Sequence, residues 1–322
     1  MPGLDALGVP TALGAIGLAV LQTAGMLAAA PLLEAVIRKM KARFQNRQGP
    51  PWLQGYYDLA KLLGKEPVRS ETASWIYVAG PRVYFAAAVA ATTLVPVLLA
   101  AAPLEAAGGI LLLVATLALG RFALATAALD TGSAFGGMGA SRDMTIAALA
   151  EPALMLGLFT SALAAGSLNL GELVRSLLQH GTAFHPSDFL AFAGLFIIVV
   201  AETSRIPVDN PATHLELTMI HEAMVLEYAG PDLALVEWAS ALKELLYLTL
   251  LVDLFLPAGI ATSFAPGAIV VALGAWAAKV FLLAIAVTVV ESTNAKLRLF
   301  RVPELVSISL GLAFLALAIR FL

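Results

Sequence analysis

Acidic side chains set among apolar ones are the chemistry-bearing feature of this 322-residue chain. Between Ala201 and Trp238 runs AETSRIPVDNPATHLELTMIHEAMVLEYAGPDLALVEW. It holds seven carboxylates (Glu202, Asp209, Glu216, Glu222, Glu227, Asp232 and Glu237), the histidines His214 and His221, and a single arginine, Arg205. A solvated loop carries its charge in Lys-, Ser- and Gly-rich sequence. Here the acids are threaded through Leu, Met, Ile and Val. Carboxylates held beside or inside a membrane mark ion or proton paths, and a relay needs acids lifted toward neutrality by burial and like-charged neighbours. The alternative is a cytoplasmic loop whose acids simply face water.

The element that would position these groups is a helix. Asn210-Pro211 reads as its start, Asn capping and Pro in the first helical position, and Gly230-Pro231 reads as its stop. At 100° per residue Glu216 and Glu227 fall within about 20° of each other. His214, Thr218, His221 and Tyr228 gather on the opposite side, with apolar flanks between.

Around this segment the chain is oily. Apolar residues make up 60% and charged residues 13%, and mean hydropathy is +0.89, which is a polytopic membrane protein rather than a soluble domain. A span needs about 20 apolar residues. By that measure there are about eight, at roughly 11–37, 82–103, 107–129, 142–166, 188–204, 240–260, 267–291 and 302–322. The expected fold is all-α, with residues 1–322 as one integral membrane domain and amphipathic helices in the cytoplasmic loops. No internal repeat is visible, which argues against the duplicated architecture of many transporters. No basic block resembles a nucleic-acid footprint, and the N-terminus has no cleavable-signal pattern.

Basic residues set the orientation. Arg38, Lys39, Lys41, Arg43, Arg47, Lys61, Lys65, Arg69 and Arg82 lie between the first two spans, and Lys296, Arg298 and Arg301 precede the last. Arg142, Arg205 and Lys243 share their side, while the alternate loops and ends hold Arg175 and Arg320. The positive-inside rule then puts the odd-numbered loops in the cytoplasm and both termini outside.

The first loop breaks at Gly49-Pro50-Pro51. Trp52, Leu53, Tyr56, Leu59, Leu62 and Leu63 then recur at helical spacing, with Asp58, Lys61 and Lys65 between them. That pattern is an amphipathic helix at the interface, either a plain anchor or a rim on which a cytoplasmic protein docks. Inside the spans Arg121, Asp130, Glu151, Asp253, Lys279 and Glu291 need partners, because a charge at a helix centre costs about 2.5–3.5 kcal/mol on insertion scales. Lys279 with an acid is the obvious structural pair. Glu151, Glu202 and Glu291 fall nearest the cytoplasmic side, and with the 201–238 segment they outline an acidic passage toward mid-membrane.

Other chemistries lack their residues. There are no cysteines, so neither disulfides nor Cys-ligated clusters are available. His221-Glu222 lacks the second histidine of a metalloprotease helix. His214 and His221 could share a metal, but interface histidines are the simpler reading. The serines have no His/Asp context for a nucleophile. No catalytic, metal-binding or cofactor-binding residue is expected in this chain.

Several of these runs resemble one family. Glu202-Thr203-Ser204-Arg205-Ile206-Pro207-Val208-Asp209 resembles a loop of the complex I membrane subunit at the heel of that enzyme, NADH dehydrogenase subunit 1. Glu227-Tyr228-Ala229-Gly230, the run Leu59 to Glu66 with Asp58 before it, and the spacing of Arg142 and Glu151 are similar to further elements of that family. Departures select a branch. Gly49-Pro50-Pro51-Trp52-Leu53-Gln54 replaces the complex I pattern. Asn210 to Leu217 with Met219 to Met224 resembles instead the membrane subunit of hydrogenase-4 and formate hydrogenlyase.

The resemblance implies a coupling subunit without its own redox centre. The nickel–iron (NiFe) centre and iron–sulfur clusters would sit in partner subunits, the hydrogenase large and small subunits, seated on loops 38–81 and 203–239. Antiporter-like membrane subunits would carry proton or sodium movement onward in a bacterial or archaeal cytoplasmic (inner) membrane. Glu151, Glu202, Asp209, Glu216, Glu222, Glu227, Glu237, Glu291 and Lys279 would form the ion path. Arg142, Arg205, His214, His221, Tyr228, Asp58, Lys61 and Lys65 would form the junction. The departures put quinone binding in doubt. Two alternatives stay open: the quinone-binding membrane subunit 1 of respiratory NADH dehydrogenase, and a stand-alone cation/proton transporter.

Overall fold

A computed structural model describes residues 12–69, 73–105, 109–180, 185–210 and 219–321. These residues are helical almost throughout, as the apolar runs demand where lipid offers the backbone no hydrogen bonds. In chain order the helices are α1 (Ala12–Phe44), α2 (Gln54–Leu63), α3 (Trp75–Leu94), α4 (Ile110–Asp130), α5 (Ala134–Ala165), α6 (Leu170–His180), α7 (Pro186–Glu202), α8 (His221–Val225), α9 (Gly230–Phe255), α10 (Pro266–Thr293) and α11 (Val302–Arg320). The β pairing among the described residues is a single bridge, Leu99 to Ala261.

The long helices run back and forth between two faces. On one face, Asp130 at the end of α4 accepts from the Ser74 and Tyr77 amides at the start of α3 (2.7 and 3.1 Å). On that same face Arg142 donates to the Met219 carbonyl at 2.7 Å, and the Leu297 amide donates to Pro207 O at 2.9 Å. The opposite face is closed by Arg175, which holds Glu105 and donates to Ala100 O at 2.9 Å. The acid-rich segment and the basic first loop therefore share one face, called here the loop face.

The expected count of eight spans is not met. Among the described residues five helical segments are long and apolar enough to cross a membrane: Ile16–Phe44, Ile110–Asp130, Ala134–Ala165, Pro266–Thr293 and Leu299–Arg320. The shortfall has a physical cause. α7 has only 17 residues, and α3 carries Pro81 and Arg82 inside it. α9 is interrupted by Lys243, Glu244 and Asp253, yet Ala241 to Leu254 is buried without a break. It lies against α1, α2, α3, α7 and α10, so its charges face other helices instead of lipid. α10 does the opposite, exposing Val270, Val271, Leu282 and Phe281.

The helix expected from Asn210 to Gly230 is also corrected. Residues 211–218, with Glu216 and His214, lie outside the described residues, and the next helix in the chain is the short α8. Gly230-Pro231 opens α9 instead of closing a helix. Gly230 takes φ +58, a left-handed value suited to glycine, and a Cβ there would meet Glu66 O at 2.9 Å. Pro231 then fills the first turn, and Asp232 pairs with Arg82 at 3.2 Å and Arg69 at 3.5 Å, an acid at the positive end of the helix. A Gly-Pro pair serves a stop and a start equally well, and only the packing selects between them.

Candidate functional site

Two clusters of buried charge lie under the loop face. The first surrounds Glu202, at the end of α7. Arg121 of α4 pairs with it directly, Lys243 of α9 reaches it at 2.9 Å, and the Tyr247 hydroxyl donates to it at 3.1 Å. Arg121 also reaches Glu151 at 3.3 Å and Asp143 at 3.7 Å, both on α5. Four helices thus supply three carboxylates and two cations. A buried carboxylate with one partner removed is left uncompensated, and the fully paired arrangement is what makes it tolerable.

The second cluster sits beside it. Arg205, in the turn after α7, holds Glu244 of α9 at 2.5 Å and Glu291 of α10 at 3.6 Å, and Lys41 of α1 reaches Glu291 at 3.6 Å. Glu244 Oε1 and both Glu291 oxygens have no hydrogen-bond partner among the described residues.

A cavity of about 650 Å³ opens beside this second cluster, walled by the end of α1 and the loop after it, the turn after Glu202, α8 and the middle of α9. Glu34, Glu222 and Glu237 face it, as do Arg38 and Arg47. Burial, then repulsion from Glu34 and Glu222, pushes the Glu237 carboxyl up to about 7. Burial, then Asp209, raises Glu222. An acid such as Glu237 exchanges its proton near physiological pH.

The expected site residues divide accordingly. Glu151, Glu202, Glu222, Glu237, Glu291 and Arg205 come together at the two clusters and the cavity. Asp209 is brought close but is saturated: it pairs with Lys296 at 2.7 Å and accepts from the Ile220 and His221 amides at 3.1 Å each. Its geometry is that of an anchor for α8. Arg142 anchors the same segment through Met219 O. Glu227 is exposed, and Tyr228 stacks on Tyr77, ring centroids 4.4 Å apart, donating to Tyr77 O at 3.2 Å. Asp58 accepts from Gln54 at 2.8 Å within α2, while Lys61 and Lys65 are exposed at the rim.

Lys279 is not brought to the clusters; Asp253 is the acid that acts on it, but its direct contacts are to carbonyls that it caps. Its ammonium donates to Leu256 O and Ala258 O, both at 2.8 Å, closing the end of α9. Asp143, Glu244 and Lys41 were missed as pairing residues. The signal for Glu244 was available, since Lys243-Glu244 is an adjacent charge pair in an otherwise apolar run. Among the described residues no group of three His, Asp or Glu side chains gathers to hold a metal.

The family model for NADH dehydrogenase matches residues 16–321. The chain belongs to the NADH dehydrogenase family. Within that family it is 32% identical over 296 residues to formate hydrogenlyase subunit 4 of Escherichia coli strain K12, covering 92% of this chain and 95% of that one. It is 31% identical over 298 residues to hydrogenase-4 component C of the same organism, covering 92% and 93%. Among solved structures, a chain of the membrane-bound sulfane sulfur reductase, an archaeal respiratory membrane complex, superposes with a TM-score of 0.82 at 20% identity, covering 95% of this chain and 99% of that one. At that identity the likeness concerns the fold. This NADH dehydrogenase family member is a membrane-type subunit of an oxidoreductase complex, similar along nearly its whole length to a formate hydrogenlyase subunit and a hydrogenase-4 component.

Proposed function

We propose that the chain is the anchoring and coupling subunit of a hydrogenase-4 or formate hydrogenlyase type complex. It seats a cytoplasmic NiFe hydrogenase arm on its loop face, through loops 38–81 and 203–239. It links the redox event there to proton or sodium movement continued by antiporter-like membrane subunits. The chain itself supplies no redox centre. It works in the cytoplasmic membrane of a bacterium or archaeon, loop face inward and both termini outward.

One observation carries this reading: acids line a cavity on the loop face and continue inward as two paired clusters reaching helices α4, α5, α9 and α10. Pairing of that kind is poised. Glu202 is held by Arg121 and Lys243 from two other helices, so a small displacement of the turn at 203–209 moves Glu202 relative to both cations and changes how well its charge is compensated. A redox-driven change in a protein resting on that turn has a direct mechanical route to the cluster, since Arg205 lies within it and Glu202 immediately precedes it.

Glu202→Gln and Glu151→Gln test the reading in the assembled complex. The expected result is a complex that still contains the hydrogenase subunits but moves few or no protons into inverted membrane vesicles while hydrogen is formed. Full hydrogen formation with full proton uptake in both variants overturns it.

A further inference from the structure

The two charge clusters border different cavities, and these share one wall. The inner cavity, about 40 Å³, is lined by Arg121, Asp143, Glu202 and Lys243. The outer one, about 650 Å³, is lined by Glu34, Glu222, Glu237 and Glu244. Four residues line both: Thr203, Ser204, His221 and Ser240. Of these only His221 can take and release a proton near neutral pH. Its Nε2 lies 3.4 Å from Ser240 Oγ, and that oxygen lies 3.3 Å from the Tyr84 hydroxyl. An inner cavity of this volume has room for a few waters, at about 10–15 Å³ each.

The ring is held in the wall by its backbone. Asp209 accepts from the His221 and Ile220 amides, and Arg142 holds the Met219 carbonyl. α8 packs against Gly139 of α5, where even a Cβ would meet Ala223 Cβ at 2.9 Å and Ile220 O at 3.0 Å.

We propose that His221 is the proton carrier between the outer acids and the Glu202 cluster. The step balances without a co-reactant. A proton from an outer carboxylic acid, Glu222 or Glu237, is taken up on one ring nitrogen, directly or through water. The imidazolium then releases a proton from its other nitrogen toward the Glu202 side, and exchange of the remaining proton between nitrogens resets the ring. The charged groups that act on the imidazole are Asp143 from α5, Lys243 from α9, Asp209 from the preceding turn and Arg121 from α4. Burial is the largest influence and keeps the ring neutral at rest, one nitrogen donating and the other free to accept. This inference rests on the coupling role proposed above.

The test uses the intact complex in inverted vesicles, measuring hydrogen formation and proton uptake together for His221→Gln, His221→Ala and, as reference, Glu202→Gln. Glutamine keeps the bulk and hydrogen bonding of the ring but cannot carry a proton. Proton uptake per hydrogen is expected to fall at least about tenfold in both histidine variants, and added imidazole is expected to restore uptake in the alanine variant. Where His221→Ala does not assemble, His221→Gln alone decides. Full uptake in His221→Gln beside lost uptake in Glu202→Gln overturns the carrier and leaves the coupling role standing. Full uptake in Glu202→Gln overturns the coupling role itself. An assembled His221→Ala complex that imidazole does not restore reduces His221 to a packing residue and also overturns the carrier.

Discussion

At the scale of residues, the molecule keeps two kinds of buried acid. Glu202 has two cations and a phenol on it, so its charge is stabilised. Glu237 has acids for neighbours, Glu34 and Glu222, and the nearest relief is Arg38. Its folded-state pKa of about 7 stands above the ordinary 4.5. The stability that its protonated form contributes is complete below the ordinary value and is lost as pH rises through the folded one. Glu237→Gln removes that loss. Thermal unfolding of the purified complex is expected to show equal melting temperatures for the native and Glu237→Gln proteins near pH 5, with the variant the more stable by several degrees near pH 8. Parallel melting curves across that window would mean that Glu237 is already solvated.

At the scale of elements, the helices differ in what surrounds them rather than in how helical they are. α9 is buried around its circumference and carries charges, whereas α10 shows apolar side chains outward and buries Glu291 at its loop-face end. Helix α8 is short, and its position depends on contact with α5 at Gly139 and on the Asp209 and Arg142 anchors. Gly139→Val should therefore displace α8, at an overpacking cost of about 1–3 kcal/mol. It removes no charge and touches neither cluster directly. Proton uptake per hydrogen is expected to fall nonetheless, because His221 moves with α8, and Gly139→Ala should lie between the variant and the native protein. Unchanged uptake in the valine variant would show that α8 can shift without consequence.

At the scale of the whole molecule, the two faces are chemically different. The loop face carries the basic first loop, the acid segment and the mouth of the large cavity, and the other is closed by Arg175 and Glu105. The absence of cysteine makes the orientation directly measurable. Phe300 on the loop face and Leu168 on the other are both exposed. A membrane-impermeant thiol reagent is expected to label Phe300→Cys in inside-out vesicles only, and Leu168→Cys in intact cells only. The reverse pattern would invert the molecule in the membrane and detach the loop face from any cytoplasmic enzyme.

Composition and the unbroken apolar runs of about 20 residues determined that this is an all-helical membrane protein, because such a run satisfies its backbone in lipid only as a helix. The run from Glu202 to Asp209 and the motifs around it determined the family. The sequence also located most of the acids that gather under the loop face, since charged residues inside apolar runs are visible without coordinates. It did not determine the direction of the helix at Gly230-Pro231, the number of helices apolar enough to face lipid, or the partners of any buried charge. The reason is geometric. A helix buried all round, such as α9, has no apolar stripe from which its facing neighbours can be inferred. Pairing Arg121 with Glu202, or Arg205 with Glu291, depends on the depth and rotation of helices distant in sequence, and only packing sets those. For the same reason His221 reads in the sequence as one polar residue among several, and becomes the wall between two cavities only when α8 is laid against α5.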